Sequence, residues 1–402
     1  SWAYQLAEDR KDLLYPAFHS QKPTYLTEDM PMKQQIRQRD ILLFYPYHSM
    51  QPFLNLLKEA AWDKSVVSIN ITLYRLARNS QVVKYLVEAA ENGKNVTVLV
   101  ELRARFDEKN NIEWAKVLEE AGCRIVYGQE GFKCHSKICL ITYQERNTIS
   151  YITQIGTGNY NEKTAGLYTD FCLMSANEEL GQNAAAFFSN MLIGNLEESY
   201  SRLLIAPYDM KKGLLRLIDN EIAKGKNGRI IIKTNSITER DLIDKLSEAS
   251  CAGVQIDLIV RGICCILPGI PEKTENIRVT SIVGRFLEHS RIYCFGKGEA
   301  RQIYISSADI MTRNQQRRVE IAAPILSKEH KDWFSFYLDL ILMDNVKARE
   351  LTSLGTYVKK GKNGRDKIGV QQYYIDHPIQ FAKSEIQKNG FLWRLERLLA
   401  RV

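Results

Sequence analysis

The sequence predicts an α/β protein made of two duplicated domains, each a mixed β-sheet flanked by helices, with a basic, helical C-terminal tail. Three observations predict it. Strand-like apolar runs alternate with helical periodicity, the same order of elements occurs twice, and short motifs recur at a nearly constant offset. The 402 residues, 45% hydrophobic and 25% charged, suit two globular domains.

The first half alternates strands with helices. Residues 80–92 have helical periodicity, with Ser80 as the N-cap and Gly93 as the stop, and a second helix over 111–121 ends at Gly122. Apolar, β-branched runs predict the strands, which are residues 65–74, 96–102, 123–127, 135–142 and 151–155.

The second half repeats this order. Strands at 229–233 and 254–260 flank a helix over 239–252, and Gly253 stops that helix. The motif Cys-His-Ser-Lys-Ile at 134–138 returns as Glu-His-Ser-Arg-Ile at 288–292, and the turn Gly-Thr-Gly-Asn at 156–159 returns as Ser-Ser-Ala-Asp at 306–309. The offsets are 160, 154 and 150 residues for three pairs, namely Gly93 and Gly253, His135 and His289, and Asn159 and Asp309. This recurrence indicates an internal duplication.

The two halves join near residues 205–209, where Pro207 marks a break. We therefore expect one domain over 26–205 and a second over 206–402, with 1–25 as the remnant of a preceding region. Because the chain has no initiator Met, we expect it to be a fragment of a longer protein.

Composition excludes several classes of protein. No apolar run approaches the roughly 20 residues of a membrane-spanning helix, and the N-terminus has no basic start followed by an apolar stretch. The eight cysteines contain no Cys-x-x-Cys pair, which favours reduced, structural thiols over zinc ligands or disulfides. These observations predict a cytoplasmic protein, with a peripheral membrane association left open.

The formal charge of +8 is concentrated at the C-terminus. Residues 346–402 hold twelve Lys and Arg against five Asp and Glu, a local excess of +7, and the stretch 359–365 is especially basic. This composition predicts either a tail that contacts a polyanion or an exposed loop followed by a closing helix over 391–400.

Two of the six histidines stand out because a cation follows each at the second position. If the motifs lie in strands, His135 shares a face with Lys137, and His289 shares a face with Arg291. A histidine beside a cation provides a nucleophile or an acid next to a group that holds phosphoryl oxygens. The turn at 156–159 is a further candidate, since its N–H groups are suited to an anion.

Three arginines lie at or just beyond the ends of predicted strands, where α/β sheets collect ligands. They are Arg75, Arg105 and Arg261. A guanidinium keeps its charge and binds phosphate in a fork, so their convergence would suit a polyphosphorylated ligand. For any one of them alone, a surface ion pair is the simpler interpretation.

Two His-x-Lys/Arg motifs followed by Gly-x-x-Asn-like turns resemble the phospholipase D superfamily. An Asp usual there shortly after the Lys is replaced here by the Ile-Thr-Tyr of residues 141–143. Three longer runs, at 155–170, 281–291 and 305–320, resemble polyphosphate kinase, the bacterial family that polymerises the γ-phosphate of ATP, and the resemblance covers nearly the whole chain.

This resemblance implies roles for individual residues. His135 is similar to the histidine that becomes phosphorylated, His289 to a phosphate-contacting acid or base, Tyr168 to a nucleotide-contacting tyrosine and Arg261 to a phosphate-binding arginine. Arg75 and Arg105 resemble a pair assigned to the magnesium–phosphate region. A guanidinium has no lone pair for Mg²⁺, so we expect these two arginines to hold phosphate oxygens that the ion also binds.

The resemblance also implies partners. We expect ATP, ADP and inorganic polyphosphate as substrates with Mg²⁺, reversible transfer, a homo-oligomer of the full-length protein and no nucleic acid. Relatives carry additional N-terminal domains that grip the nucleotide and form dimer contacts, and we expect these to be absent here. Arg313, Arg317 and Arg318 are candidates for the wall of a basic groove, or for a solvated loop.

Two other function classes stay open. A phospholipase D-like phosphodiesterase or nuclease would use the same two histidines on a phosphodiester. A non-catalytic polyanion-binding protein would keep the fold without turnover and would bind in a salt-sensitive manner.

Overall fold

A computed structural model describes residues 10–102, 108–361 and 366–381. Arg105, residues 362–365 of the basic stretch and the closing helix expected over 391–400 lie outside these ranges. The helices are α1 (Met32–Gln38), α2 (Gln51–Trp62), α3 (Gln81–Glu91), α4 (Glu108–Glu120), α5 (Glu162–Ala165), α6 (Glu178–Ile193), α7 (Met210–Ile222), α8 (Arg240–Cys251), α9 (Thr312–Arg317), α10 (Lys328–Met343) and α11 (Val370–Asp376).

The strands of the first half are β1 (Ile41–Tyr45), β2 (Val66–Leu73), β3 (Asn95–Val100), β4 (Arg124–Tyr127), β5 (Lys133–Cys134), β6 (Ile138–Glu145), β7 (Thr148–Gly156) and β8 (Tyr168–Ser175). Those that follow are β9 (Leu204–Ala206), β10 (Arg229–Thr234), β11 (Gln255–Val260), β12 (Ile277–Ile282), β13 (Leu287–Glu288), β14 (Arg291–Phe295), β15 (Gln302–Ser306), β16 (Arg318–Pro324), β17 (Ala348–Leu351) and β18 (Tyr357–Lys359).

The two halves have the same sheet topology, which confirms the predicted duplication. One sheet has the order β1-β8-β7-β6-β2-β3-β4, and the other contains β12-β11-β10-β14-β15-β16. Read in the same direction, β8-β7-β6-β2-β3-β4 corresponds to β16-β15-β14-β10-β11-β12. The antiparallel partner β1 of β8 corresponds to β9 on β16. Parallel and antiparallel pairs occur in both sheets, as a mixed α/β fold requires.

Two short strands are exchanged between the sheets. β5, from the first half, pairs with β16 of the second sheet, and β13, from the second half, pairs with β8 of the first. Each exchanged strand immediately precedes one of the two His-Ser-Lys/Arg motifs. The exchange therefore brings the two motifs to the seam between the halves.

A shared hydrophobic core fixes the two halves against each other. Phe44 and Phe171 of the first sheet stack with ring centroids 4.6 Å apart, and both contact Trp333 of α10. The same cluster of buried residues includes Ile292 and Ile305 from the second sheet. Large aromatic side chains dominate burial energetics, so separation of the halves would expose much of this core.

Local signals in the sequence predicted several elements well. Ser80 caps α3 through its hydroxyl, which accepts from the N–H of Val83 at 3.4 Å, and Gly93 follows with φ +79°. Gly253 similarly follows α8 with φ +91°. A residue with a Cβ is strained in this left-handed region, which explains glycine at both stops.

The structure also describes all eight cysteines as free thiols, five of them buried. Within the three ranges given above, no helix is both long enough and apolar enough to cross a bilayer.

Candidate active site

His135 lies where the chain passes from one sheet to the other. The N–H groups of His135 and Ser136 both donate to the carbonyl of Val319 in β16, each at 2.9 Å. The expected strand over 135–142 therefore begins later, at Ile138, because only from that residue does the chain pair with β7. The peptide units on either side of the motif are thus held by different sheets.

A carboxylate of the second half orients this imidazole. Nδ1 of His135 lies 2.9 Å from Oε2 of Glu320, and both side chains are buried. Ser307 and Asn314 also donate to the Glu320 carboxylate, which is the acceptor in these contacts. When Glu320 is ionised, Nδ1 of His135 carries the proton, and Nε2 keeps its lone pair.

Burial shifts the acid–base behaviour of both partners. It lowers the pKa of His135 well below its ordinary value, and the neighbouring positive charges of Lys137 and Arg318 lower it further. Burial raises the pKa of Glu320 to about 7, while the same two cations oppose this rise. The imidazole is therefore neutral at physiological pH.

His289 has an equivalent arrangement in which the two halves exchange roles. Its Nδ1 lies 2.7 Å from Oδ2 of Asp170, which belongs to β8 of the first sheet, and Thr157 donates to the other carboxylate oxygen at 2.6 Å. The N–H of Ser290 donates to the carbonyl of Thr169 at 2.7 Å, just as Ser136 donates to Val319. Each histidine is thus oriented by a carboxylate from the other half of the molecule.

Sequence analysis did not identify Asp170 and Glu320 as site residues, although a signal was present. Asp170 lies eleven residues after Asn159, and Glu320 lies eleven residues after Asp309, so both pairs keep the 150-residue offset. The turn at 156–159 already uses part of its hydrogen-bonding capacity within the fold. The N–H groups of Gly156 and Thr157 donate to main-chain carbonyls, and the hydroxyl of Thr157 supports Asp170.

The two cations predicted beside the histidines have different environments. Lys137 is buried and donates to the main-chain carbonyl of His135, and burial lowers its pKa to about 7. Arg291 forms a two-point ion pair with Asp309, with Nε to Oδ1 at 3.0 Å and Nη2 to Oδ2 at 3.2 Å.

Arg291 also contacts the second histidine. Its Nη1 lies 3.4 Å from Nδ1 and 3.2 Å from Nε2 of His289. One donor cannot be in line with both ring nitrogens, so the guanidinium lies against the face of the imidazole. Burial lowers the pKa of His289, and the charge of Arg291 adds to this effect while Asp170 opposes it.

The remaining sequence candidates lie around these pairs. The Tyr168 ring is 5.3 Å from that of His289 between centroids. Arg261 follows β11 and donates to the side chain of Asn235 at 2.7 Å and to the carbonyl of Glu288. Arg75 follows β2, half-buried, with its guanidinium 5.6 Å from the centre of the Tyr74 ring.

The three candidates for the groove wall do not share one environment. Arg313 and Arg317 are exposed on α9, whereas Arg318 is half-buried with a guanidinium nitrogen 3.7 Å from Oε1 of Glu320. By the 150-residue offset, Arg318 corresponds to Tyr168, so each histidine has one of these two side chains near it.

A buried lysine that sequence analysis overlooked supports the second motif. The Lys233 ammonium donates to the carbonyl and hydroxyl of Ser290 at 3.0 and 2.9 Å and lies 3.1 Å from the carboxylate of Glu288. Glu288 in turn accepts from Thr169 and from Gln371 of α11. This network fixes the main chain on both sides of His289.

Among the residues that the structure describes, no group of three or more His, Cys, Asp or Glu side chains is arranged to hold a metal ion. The site instead combines buried cations with neutral histidines. This donor set suits the oxygens of phosphate groups, and it suits a metal ion that arrives already bound to those oxygens.

The two matching sheets, each with a histidine and a cation at the seam, place the chain in the class of duplicated two-domain α/β proteins. Sequence models described as polyphosphate kinase C-terminal domain 1 and C-terminal domain 2 match residues 31–198 and 203–371. The chain belongs to the polyphosphate kinase family.

Individual relatives agree with this assignment. The chain is 49% identical to the polyphosphate kinase of Staphylococcus saprophyticus over 322 residues, covering 79% of this chain and 45% of that protein. It is 48% identical to that of Exiguobacterium sibiricum over 382 residues, covering 94% and 53%. The chain thus spans about half the length of the curated relatives it matches.

One solved structure shows the same relationship, and a second shares the fold. The crystal structure of polyphosphate kinase from Porphyromonas gingivalis is 37% identical and superposes with a TM-score of 0.83 over 90% of this chain and 56% of that one. A phosphatidylserine synthase from Haemophilus influenzae, 11% identical, matches 92% of this chain and 96% of its own with a TM-score of 0.53, which shows the fold alone.

Proposed function

We propose that the protein containing this chain transfers the γ-phosphate of ATP reversibly to inorganic polyphosphate, through a phosphohistidine at His135. One observation carries the proposal within the family assignment. His135 is a neutral imidazole whose Nδ1 is held by Glu320, and among the described residues no group hydrogen-bonds its Nε2. A neutral ring with one free lone pair is what nucleophilic attack on phosphorus requires.

The first half-reaction joins Nε2 of His135 to the γ-phosphorus of ATP. As the N–P bond forms, the bond from that phosphorus to the bridging oxygen breaks, and ADP leaves with the electron pair. The Nδ1 proton stays in its hydrogen bond to Glu320, whose charge stabilises the positive ring. Lys137 and Arg318 supply positive charge near the transferring oxygens.

In the second half-reaction a terminal oxygen of polyphosphate attacks the same phosphorus. The N–P bond breaks, its electron pair returns to Nε2, and the polymer is one unit longer. Attack by ADP on the phosphohistidine instead regenerates ATP, so the chemistry runs in both directions.

His135 is preferred over His289 because of one contact that the His289 ring makes. The guanidinium of Arg291, fixed by Asp309, lies against the His289 ring and withdraws electron density from it. We assign His289 to contact with the phosphates and to proton transfer, with Tyr168 and Arg261 beside it for the nucleotide.

Magnesium enters this proposal as part of the substrate, Mg-ATP. The ion neutralises charge on the β- and γ-phosphates. Arg75 is a candidate to hold those phosphate oxygens from its position after β2. The same role is proposed for Arg105 by resemblance.

The proposal is tested with the full-length protein, γ-labelled ATP and Mg²⁺. We expect an acid-labile, alkali-stable phosphate that maps to His135 and is chased into ATP by ADP and into polymer by polyphosphate. Label on another residue would overturn the assignment of the nucleophile. Absence of both label and polymer, with hydrolysis of a chromogenic phosphodiester, would replace the kinase with the diesterase alternative.

A further inference from the structure

Tyr74 brings three site residues together around one ring. It follows β2 directly, and its ring lies 4.8 Å from that of His135 between centroids, at an interplanar angle of 82°. The Lys137 ammonium lies 5.4 Å from the centre of the same ring, and the Arg75 guanidinium lies 5.6 Å from it. Sequence analysis gave this tyrosine no role, and the mechanism above does not use it.

The hydrogen bond to Glu320 leaves the imidazole of His135 one freedom. A single hydrogen bond at Nδ1 tolerates some variation in length and angle, so small rotations about χ1 and χ2 can still tilt the ring and move Nε2. A second ring packed at right angles restricts this tilt, and edge-to-face packing is a preferred arrangement of aromatic pairs. Glu320 and Tyr74 together therefore define where Nε2 points.

The duplicated half shows that this contact is specific to His135. Cys139 and Tyr293 each lie four residues after the histidine of their half. Cys139 pairs with Ile71 and Tyr293 pairs with Ile232, so the equivalent of Tyr74, three residues after Ile71, is Asn235. The side chain of Asn235 donates to the main-chain carbonyl of His289 at 3.3 Å, not to its ring. Only the first half holds its imidazole through an aromatic side chain at this position.

The same ring also shields the cation beside the nucleophile. Lys137 is 1% exposed, and Tyr74 is half-buried against it. The face of an aromatic ring attracts a cation, and the ring keeps water away from the ammonium. Loss of the ring would admit water both to Lys137 and to the imidazole.

We propose that Tyr74 is a positioning residue for His135, whose ring aims Nε2 at the transferring phosphorus and covers the Lys137 ammonium. This inference rests on the proposed function. The ring makes the contacts, so a phenylalanine at this position should keep the effect, and an aliphatic side chain should lose it.

The test compares Tyr74→Leu with Tyr74→Phe in the full-length protein. In single-turnover labelling at saturating γ-labelled ATP, we expect Tyr74→Leu to slow phosphorylation of His135 by about 10- to 100-fold with little change in the ATP concentration for half-maximal rate, because orientation acts on the chemical step. Tyr74→Phe should restore most of the lost rate. Tyr85→Leu, at a partly buried tyrosine of α3 that packs against a hydrophobic cluster of the first half, controls for the loss of packing.

Equal losses in Tyr74→Phe and Tyr74→Leu would overturn the role of the ring, as would a wild-type rate in Tyr74→Leu at saturation. A second readout does not depend on turnover. NMR of ¹⁵N-labelled histidine should show the pKa of His135 returning toward its ordinary range in Tyr74→Leu and staying low in Tyr74→Phe, with Lys137, Arg318 and Glu320 unchanged in both.

This pair of readouts separates the two proposals. If the wild type is never labelled at His135 but the NMR shift appears as expected, the kinase mechanism fails and the positioning contact stands. If labelling occurs and neither the rate nor the NMR signal responds to Tyr74→Leu, the positioning contact fails alone.

Discussion

Nδ1 of His135 lies 2.9 Å from the carboxylate of Glu320, although the two residues are 185 positions apart and belong to different halves of the duplication. His289 and Asp170 form the reverse pair, 2.7 Å apart. Because the carboxylate for each histidine comes from the other half, neither half alone contains an oriented imidazole. The docking of the two sheets is thus a condition for the chemistry, and the aromatic core around Phe171 and Trp333 provides it.

Removal of the charge at Glu320 should affect chemistry more than folding. Glu320→Gln keeps the volume of the side chain but no longer stabilises a positive imidazole, so we expect phosphorylation of His135 to slow by at least about 10²-fold. Single-turnover labelling measures the rate, and thermal unfolding checks the fold. Glu179→Gln, in a half-exposed ion pair with Arg202, serves as the matched control and should label normally. A wild-type rate in Glu320→Gln would contradict the orienting role.

His135→Ala should abolish both polymer synthesis from ATP and ATP formation from polyphosphate, since both directions pass through the same N–P bond. Far-UV circular dichroism should show an intact fold. His19→Ala, at an exposed histidine, should keep both activities and controls for the substitution itself. Residual polymer synthesis by correctly folded His135→Ala would rule out a covalent intermediate at this residue.

Most elements of the fold could be predicted from local features of the sequence. The cap at Ser80 and the stop at Gly93 depend on residues within one or two turns, so they were readable without tertiary information. The duplicated motifs were readable because their offset is conserved within the chain. By contrast, the motif at His135 was expected to lie within a strand, and the structure begins that strand at Ile138, because the preceding residues pair with the other sheet.

The carboxylates that orient the two histidines were harder to predict from the sequence for a related reason. Asp170 lies in an apolar strand and becomes a site residue only because β13 is exchanged onto β8, which the sequence does not reveal. The sequence similarly predicted Lys233 only as part of a strand. Its burial depends on the ion pair with Glu288, which lies 55 positions further along the chain. Contacts created by exchange between two sheets have no local pattern, and the 150-residue offset was the one available clue.

Gly158 is required by the close approach of Asp170. A Cβ built at Gly158 would lie 2.3 Å from Oδ2 of that carboxylate, which is well inside contact distance. We expect Gly158→Ala to displace Asp170, to release Nδ1 of His289 and to reduce polymer synthesis roughly 10-fold or more. Gly166→Ala is the matched control, since the nearest atom to its Cβ would be 3.5 Å away. Equal activity of the two variants would show that Asp170 does not need its present position.

Stability should decrease below neutral pH because of histidines that are buried without charge. Burial lowers the pKa of His330 to about 4, so the unfolded chain takes up a proton near pH 6.5 that the folded chain does not accept until near pH 4. The unfolded state binds more protons in this window, and the free energy of unfolding therefore falls as the pH falls. For His330 the loss between pH 7.5 and pH 5 is about 2 kcal/mol.

His330→Leu separates this contribution from that of the other histidines. Nδ1 of His330 is buried and has no hydrogen-bond partner among the residues that the structure describes, so an apolar side chain of similar size costs little at pH 7.5. We expect urea unfolding to show similar stability of the variant and wild type at pH 7.5, and a smaller loss for the variant at pH 5. His48, whose pKa burial lowers to about 3, remains in both proteins and accounts for part of the loss that persists. Parallel pH profiles of the two proteins would mean that His330 takes up its proton at a similar pH in the folded and the unfolded chain, so that its burial does not exclude the proton.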